Sequence, residues 1–251
     1  DLQYAVEHGD GLGAVEGLFF DGAQDEGVGD GVALGPYALV SVAAGKDSTA
    51  DDALAPALRD ALRAYLDQGG RAIVSGEEIG WDLVERSEDP AEAAWLAEVL
   101  GAEYVADDAD ALGMAGAGAF AGVGEVALDD GSAGVYAVRY PDVWAPAGAG
   151  AELAFAWPDG TGAAVATDRS VLFGVGLEAV VPAEARRAVY RAAVGRLGVA
   201  GTPDDLDLDG AADGCERRYG FDERDGADGA ADADGDGRDL ATECADGTDP
   251  T

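Results

Sequence analysis

Histidine, cysteine and aromatic residues are scarce in this chain. Its 251 residues include one histidine, His8, and two cysteines. A single histidine excludes a zinc site built from several imidazoles and leaves few ways to assemble a Ser–His–Asp triad. Aromatic residues make up 7% of the chain although hydrophobic residues make up 48%. The sequence therefore predicts a real core, built largely from small side chains.

Basic residues are also few, and only Lys46 is a lysine. The 15 basic residues face 51 acidic ones, which gives a net charge of −36. A protein of this charge repels nucleic-acid phosphates and attracts cations, so no nucleic-acid partner is expected. Two interpretations remain open and can both apply: adaptation of the whole surface to brine, and a local calcium site. No apolar run has the length of a bilayer span.

Residues 1–198 alternate between strand-like and helix-like segments, which predicts an α/β domain. We expect a mostly parallel, flavodoxin-like sheet flanked by helices, with a β-rich antiparallel extension at one edge. Because residues 1–15 have a helical pattern, the first strand of such a fold is expected upstream of residue 1. The other predicted helices carry Leu54 to Leu66, begin at Asp89-Pro90, and run from Pro182 to Leu197. The predicted strands are 37–43, 72–74, 123–128, 135–140, 153–157, 163–166 and 171–175.

The composition changes after residues 199–204, which we interpret as a linker. Residues 203–251 contain 17 acidic residues and 4 arginines but few large apolar residues. Burial alone cannot fold a unit of this size with so little apolar surface. Residues 205–251 therefore need another source of stability.

The pattern D-x-D-x-D-G-x₅-E occurs twice in this segment, offset by 27 residues. It is typical of EF-hand-like calcium loops, in which alternate carboxylates, a backbone carbonyl and a closing glutamate supply oxygen ligands. A disordered acidic tail is the competing interpretation, but two matches in register favour Ca²⁺. The predicted ligands are Asp205, Asp207, Asp209, Ala211 and Glu216 in the first loop and Asp232, Asp234, Asp236, Arg238 and Glu243 in the second.

Fifteen residues separate Glu216 from Asp232, too few for the two long helices of paired EF-hands. With its run 232–237 and the ending Gly247-Thr-Asp-Pro250, the tail instead resembles the thrombospondin type 3-like and dockerin-like repeats of bacterial secreted and surface proteins. By this resemblance, Asp222 and Asp249 supply extra ligands.

Both cysteines lie in the tail, and each is adjacent to a closing glutamate. A disulfide between Cys215 and Cys244 would clamp the two loops together, whereas two free thiols are the alternative. We predict the disulfide, because a small metal-dependent unit gains most from a covalent link. Disulfides and millimolar calcium both indicate an extracellular or cell-surface location.

Four motifs of the larger domain carry a second resemblance: 76–83, 107–109, 140–142 and 174–178. In this order they resemble a degenerate class I glutamine amidotransferase domain found beside xanthan lyase-like and cell-wall amidase-like proteins. The resemblance implies that Glu78 stands where the family has its cysteine nucleophile. Glu178 matches the glutamate of the triad, and Gly176 replaces the histidine. Amidotransferase activity is therefore not expected.

Carboxylates are the remaining catalytic candidates: Glu77, Glu78, Asp82 and Glu178 are expected near the carboxyl ends of strands. The alternative is structural, with Glu78 capping a helix and pairing with an arginine while Asp82 solvates a turn. A binding cleft for sugar or peptide, with Trp81 as a stacking face, lies between these interpretations. His8 is interpreted as a surface or helix-packing residue.

Together these patterns predict a non-catalytic accessory or binding region of a larger secreted or cell-surface bacterial protein. Its expected partners are other domains of the same polypeptide or cell-surface molecules. The alternative is a secreted hydrolase that acts on polysaccharide or cell wall through carboxylates near Glu78 and Glu178. A protein whose acidity serves only solvation in brine is a third hypothesis.

Overall fold

The computed structural model describes residues 2–13, 15, 32–46, 52–87, 89–199, 209–222 and 225–251. The chain divides into two compact units. The first unit comprises the described residues up to Val199, and the C-terminal unit comprises those from Asp209 onward.

One mixed sheet of ten strands forms the first unit. Its main path runs β1-β2-β9-β8-β7-β4-β5-β10, while β6 pairs with β8 and β3 pairs with β6. The strands are β1 (Val40–Gly45), β2 (Ala72–Gly76), β3 (Ala102–Ala106), β4 (Gly113–Gly116), β5 (Glu125–Leu128), β6 (Val143–Pro146), β7 (Glu152–Ala156), β8 (Gly162–Ala166), β9 (Ser170–Phe173) and β10 (Val180–Val181).

The predicted mostly parallel, flavodoxin-like sheet is wrong. Among the described strands, only β1–β2 and β2–β9 pair in parallel, and the other seven pairings are antiparallel. The sheet curls into a half-barrel. A parallel pair requires a long crossover, usually a helix. Between β3 and β9 the chain forms no α-helix, only a 3₁₀ turn at Gly118–Val123, so its strands return without helical crossovers.

The segment 135–140, predicted as a strand, is a loop apart from one isolated bridge. Asp129 organises it: the buried carboxylate accepts hydrogen bonds from the backbone N–H groups of Gly131, Ala133 and Val135 at 2.7, 2.9 and 3.0 Å. These bonds wind the chain around one side chain and compete with strand pairing. The unpredicted strands β3, β4, β6 and β10 are short, and β4 consists almost entirely of glycine and alanine.

The helices largely follow the predicted pattern. They are α1 (Leu2–Gly13), α2 (Pro56–Asp67), α3 (Pro90–Trp95) and α4 (Ala183–Leu197), with π-helical turns at Trp81–Arg86 and Leu96–Leu100. In α2 the buried residues Leu58, Leu62, Tyr65 and Leu66 recur at helical spacing and face the core. None of the helices in the described ranges combines the length and apolar character that a bilayer crossing needs.

The C-terminal unit contains two short helices, α5 (Asp213–Tyr219) and α6 (Leu240–Asp246). Each has seven residues and ends at a glycine in the left-handed conformation, Gly220 with φ 84° and Gly247 with φ 72°. These glycines are separated by the same 27 residues as the two loop motifs. The sequence repeat is therefore also a structural repeat.

Candidate functional site

The second acidic loop brings its three aspartates together. Carboxylate oxygens of Asp232, Asp234 and Asp236, here called the second cluster, all lie within 4.8 Å of one another. Asp232 accepts hydrogen bonds from the backbone N–H of Gly235 at 2.8 Å and of Gly237 at 3.0 Å. Gly237 has φ 95°, which glycine adopts without strain. The loop is thus curled around its first aspartate.

Glu243, the predicted closing residue of this loop, lies in α6. It is 1% exposed, and its Oε1 lies 3.2 Å from the hydroxyl of Thr248, which donates to it. Its Oε2 is buried and has no hydrogen-bond partner among the described residues. Burial, followed by the charges of Asp234 and Asp236, raises the pKa of Glu243. A buried carboxylate oxygen without a donor, close enough to Asp234 and Asp236 to feel their charges, fits a cation ligand.

The first loop forms a similar group with one unexpected member. Oxygens of Asp209, Glu216 and Asp228, here called the first cluster, lie within 4.8 Å of one another. Glu216 is 0% exposed. The predicted ligands Asp205 and Asp207 lie outside the described residues. Sequence reasoning missed Asp228, because it belongs to neither loop motif.

The two extra ligands implied by the tail resemblance lie outside both clusters. Asp222 and Asp249 are exposed, and Asp249 accepts hydrogen bonds from the backbone N–H and the hydroxyl of Thr251 at 3.1 and 3.0 Å. Their role as ligands stays a prediction, as does that of the backbone carbonyls of Ala211 and Arg238.

The disulfide between Cys215 and Cys244 is present, as predicted. It joins α5 to α6, and each cysteine is adjacent to a glutamate that closes a loop. The two acidic clusters, built from carboxylates alone, can hold a metal ion.

In the first unit, Glu178 lies in a buried network. It is 0% exposed; Tyr136 donates its hydroxyl to Oε1 at 2.7 Å, and His8 Nε2 lies 3.0 Å from Oε2. His8 Nδ1 lies 3.0 Å from the Ser41 hydroxyl and 2.5 Å from that of Tyr190. His8 is therefore a packing residue of α1, as one prediction had it; the surface alternative is wrong.

The same network fills the space around Gly176, the position that the predicted resemblance assigns to the amidotransferase histidine. A Cβ atom added at Gly176 would overlap the carboxylate of Glu178 and the hydroxyl of Tyr136. A histidine at this position would displace the hydrogen bond between those two side chains. The packing around Gly176 thus excludes any larger residue while Glu178 stays where it is.

Glu77 is also fully buried, at 0% exposure. Its Oε2 accepts hydrogen bonds from the backbone N–H groups of Arg139 and Tyr140, both at 3.1 Å. Burial raises its pKa, an effect that these bonds and the charge of Lys46 oppose. Glu77 holds the 139–140 segment against the end of β2.

Asp82 does not solvate a turn, and that part of the structural alternative is wrong. It is 1% exposed, accepts the backbone N–H of Ala53 at 2.8 Å and pairs with Arg86. The carboxylate thus ties Ala53, which precedes α2, to the π-helical turn that contains Asp82.

Glu78 is the most accessible of the four candidates. It is half-buried and has φ 66°, a left-handed conformation that non-glycine residues rarely adopt. Burial, followed by the charges of Asp107 and Glu77, raises its pKa to about 7. The predicted carboxylates lie close enough to influence one another. The charges of Glu77 and Asp82 raise the pKa of Glu78, and the charge of Glu178 raises the pKa of Glu77.

Asp142 belongs to the motif 140–142, but sequence reasoning did not name it as a candidate site residue. It is 0% exposed and accepts the backbone N–H of Gly80 at 2.7 Å, while its Oδ1 has no hydrogen-bond partner among the described residues. Burial raises its pKa well above the usual range, and the charges of Asp107 and Glu78 add to the rise. No periodicity marks such a residue, since it lies in a loop.

Replacing Glu78 with glutamine should remove part of the pH dependence of stability. The pKa rises from 4.5 to about 7 on folding, so the folded state holds the proton more tightly between these values. The free energy of unfolding therefore falls as pH rises through this window. Allowing for partial exposure, E78Q should gain about 1–2 kcal/mol over the wild type at pH 8 and nothing at pH 4.

Urea unfolding of both proteins at the two pH values, with calcium present, measures this difference. Glu125→Gln is the control, because Glu125 is exposed on β5. An equal gain in the free energy of unfolding at both pH values would contradict a raised pKa of Glu78 in the folded state.

No family model matches the chain, and no curated protein matches it. The solved structures that are similar to parts of it include the following two. One is the β-galactosidase from the psychrophilic Marinomonas ef1, with 13% identity and a TM-score of 0.45, covering 81% of this chain and 26% of that one. The other is a GMP synthase subunit from Thermoplasma acidophilum, with 12% identity and a TM-score of 0.34, covering 64% of this chain and 93% of that one. The chain thus spans about a quarter of the β-galactosidase, and neither likeness identifies a function.

Proposed function

We propose that this chain is a non-catalytic accessory region of a larger secreted or cell-surface protein, whose C-terminal unit is stabilised by bound Ca²⁺. The observation that carries the proposal is the buried Oε2 of Glu243, which has no donor among the described residues and lies beside the second cluster. Burying such an oxygen is costly unless a cation or a proton compensates it.

Calcium suits these loops better than other common metals. Every side chain in the two clusters is a carboxylate, which disfavours metals that prefer sulfur or imidazole. Magnesium demands near-octahedral geometry and gives up its water reluctantly, whereas calcium accepts six to eight oxygens in a flexible shell. A curled loop with a closing glutamate provides such a shell.

The disulfide supports an extracellular location. Disulfides persist in oxidising compartments, where calcium is millimolar and fills even weak sites. A calcium-stiffened unit of this size suits a spacer or docking module. Its partners in this proposal are other domains of the same polypeptide or cell-surface molecules, with a sugar or peptide as a further ligand.

The hydrolase alternative has one observation in its favour, the half-buried Glu78 with a pKa of about 7. A glycosidase needs two carboxylates that reach the substrate. Glu77 and Glu178 are both 0% exposed, and the network around Glu178 occupies both of its oxygens. The accessory role is therefore the better supported function.

Calcium titration of the chelated protein tests the proposal. We expect two ions to bind, and Glu243→Gln to weaken one of them by about tenfold or more, because a buried charged ligand is lost. Isothermal titration calorimetry gives both the number of bound ions and the affinity of each site. Glu125→Gln, in the first unit, should bind as the wild type does. A wild-type protein that takes up no calcium at millimolar concentration would exclude this function.

A further inference from the structure

Asp228 lies between the two loops, 12 residues after Glu216 and four before Asp232. Its Oδ2 accepts the backbone N–H of Asp222 at 3.1 Å. Its Oδ1 is buried and has no hydrogen-bond partner among the described residues. One oxygen thus holds the side chain in place, while the carboxylate lies within 4.8 Å of ligand oxygens of Asp209 and Glu216.

The next residue fixes the same segment against the first loop. Gly229 donates its backbone N–H to the carboxylate of Asp209. A Cβ atom at position 229 would overlap that carboxylate, so only glycine allows this approach. Asp209 also accepts the N–H of Ala211 at 2.8 Å. The position of Asp228 is therefore set by contacts with the first loop.

The other side of this segment is bonded to the helix of the second loop. The carbonyl of Gly229 accepts the N–H of Ala241 at 2.9 Å, and the carbonyl of Ala231 accepts the N–H of Leu240 at 2.8 Å. Both donors lie in the first turn of α6, which carries Glu243. Asp232, the first member of the second cluster, follows directly.

We propose that Asp228 is a ligand of the first cation site and that residues 228–231 couple the two sites, so that filling one raises the affinity of the other. This inference rests on the proposed function. A cation held by Asp228 orders the segment that positions both Asp232 and α6. The second ion then binds to a loop that is already ordered, so its binding loses less conformational entropy.

Calorimetric calcium titration of the full chain with single Asp→Asn changes tests the inference. D228N should weaken the first site by about tenfold or more. It should also weaken the second site by about fivefold, the lower range of measured coupling. Asp225→Asn is the matched control, since Asp225 is exposed in the same segment. D222N keeps the backbone N–H that donates to Asp228, and it tests Asp222 as the rival ligand of the first site. D225N should bind both ions within about twofold of the wild type.

The outcomes separate this inference from the proposed function. A wild type that binds no calcium rejects the function itself. Two bound ions together with D228N equal to D225N reject Asp228 as a ligand, and a loss in D222N instead assigns that role to Asp222. A loss confined to one site in D228N rejects the coupling. If D228N does not fold in calcium, Asp228→Glu is judged by the same criteria, since it keeps the charge and displaces the oxygens.

Discussion

Chelation of calcium should unfold the C-terminal unit while the first unit stays folded. A ligand present at a hundredfold excess over its dissociation constant stabilises the folded state by about 2.7 kcal/mol, so two sites contribute about 5 kcal/mol. In the described part of this unit only Ala211 and Leu240 are buried hydrophobic residues. Without cations, the carboxylates of the two clusters repel one another.

Differential scanning calorimetry with a chelator, and then with excess Ca²⁺ or Mg²⁺, measures this loss. We expect calcium to restore the transition of the C-terminal unit and magnesium to restore it poorly. The transition of the first unit serves as the internal control. A C-terminal unit that is equally stable with and without chelator would show that cations do not hold it together.

Glu178→Ala should destabilise the first unit by about 3–5 kcal/mol, because it removes one partner from a buried polar network. It leaves His8 and Tyr136 without the carboxylate that they contact at 3.0 and 2.7 Å. His8 belongs to α1 and lies 170 residues away in sequence, so packing of this helix should loosen first.

Urea unfolding gives the change in free energy, and hydrogen exchange in α1 reports where the loss begins. Glu125→Ala, at an exposed position of β5, should change stability by less than about 0.5 kcal/mol. Equal effects of the two substitutions would show that the network around Glu178 adds no more to the free energy of unfolding than an exposed side chain does. Glu178→Gln keeps the shape of the side chain and should lower the free energy of unfolding by less than Glu178→Ala does.

The network also fills the place that the predicted amidotransferase resemblance gives to part of the triad. The resemblance places Glu178 in the glutamate position and Gly176 in the histidine position. In the structure, the imidazole that Glu178 contacts comes instead from α1, and the side-chain space at Gly176 is taken by Glu178 and Tyr136. The carboxylate serves to hold a helix in place.

Local patterns in the sequence were enough to predict several features. The 3.6-residue periodicity of α2 and α4, the glycines after α2 and the proline before α4 depend on near neighbours along the chain. The two acidic loops follow from a repeat of 27 residues. The disulfide was predicted because Cys215 and Cys244 are the two cysteines of the chain and each is adjacent to a closing glutamate. Burial of β2 follows from its apolar composition.

Tertiary structure alone decided the rest. The direction in which β3 to β8 pair depends on where loops return the chain, and strands of glycine and alanine carry no pattern that shows it. His8 meets Glu178, and Asp228 meets Asp209, only because folding brings distant segments together. Sequence determined which residues could bind cations or form the core, because composition and local spacing set charge and periodicity. Long-range packing determined which of them meet, since no local preference encodes contacts between remote segments.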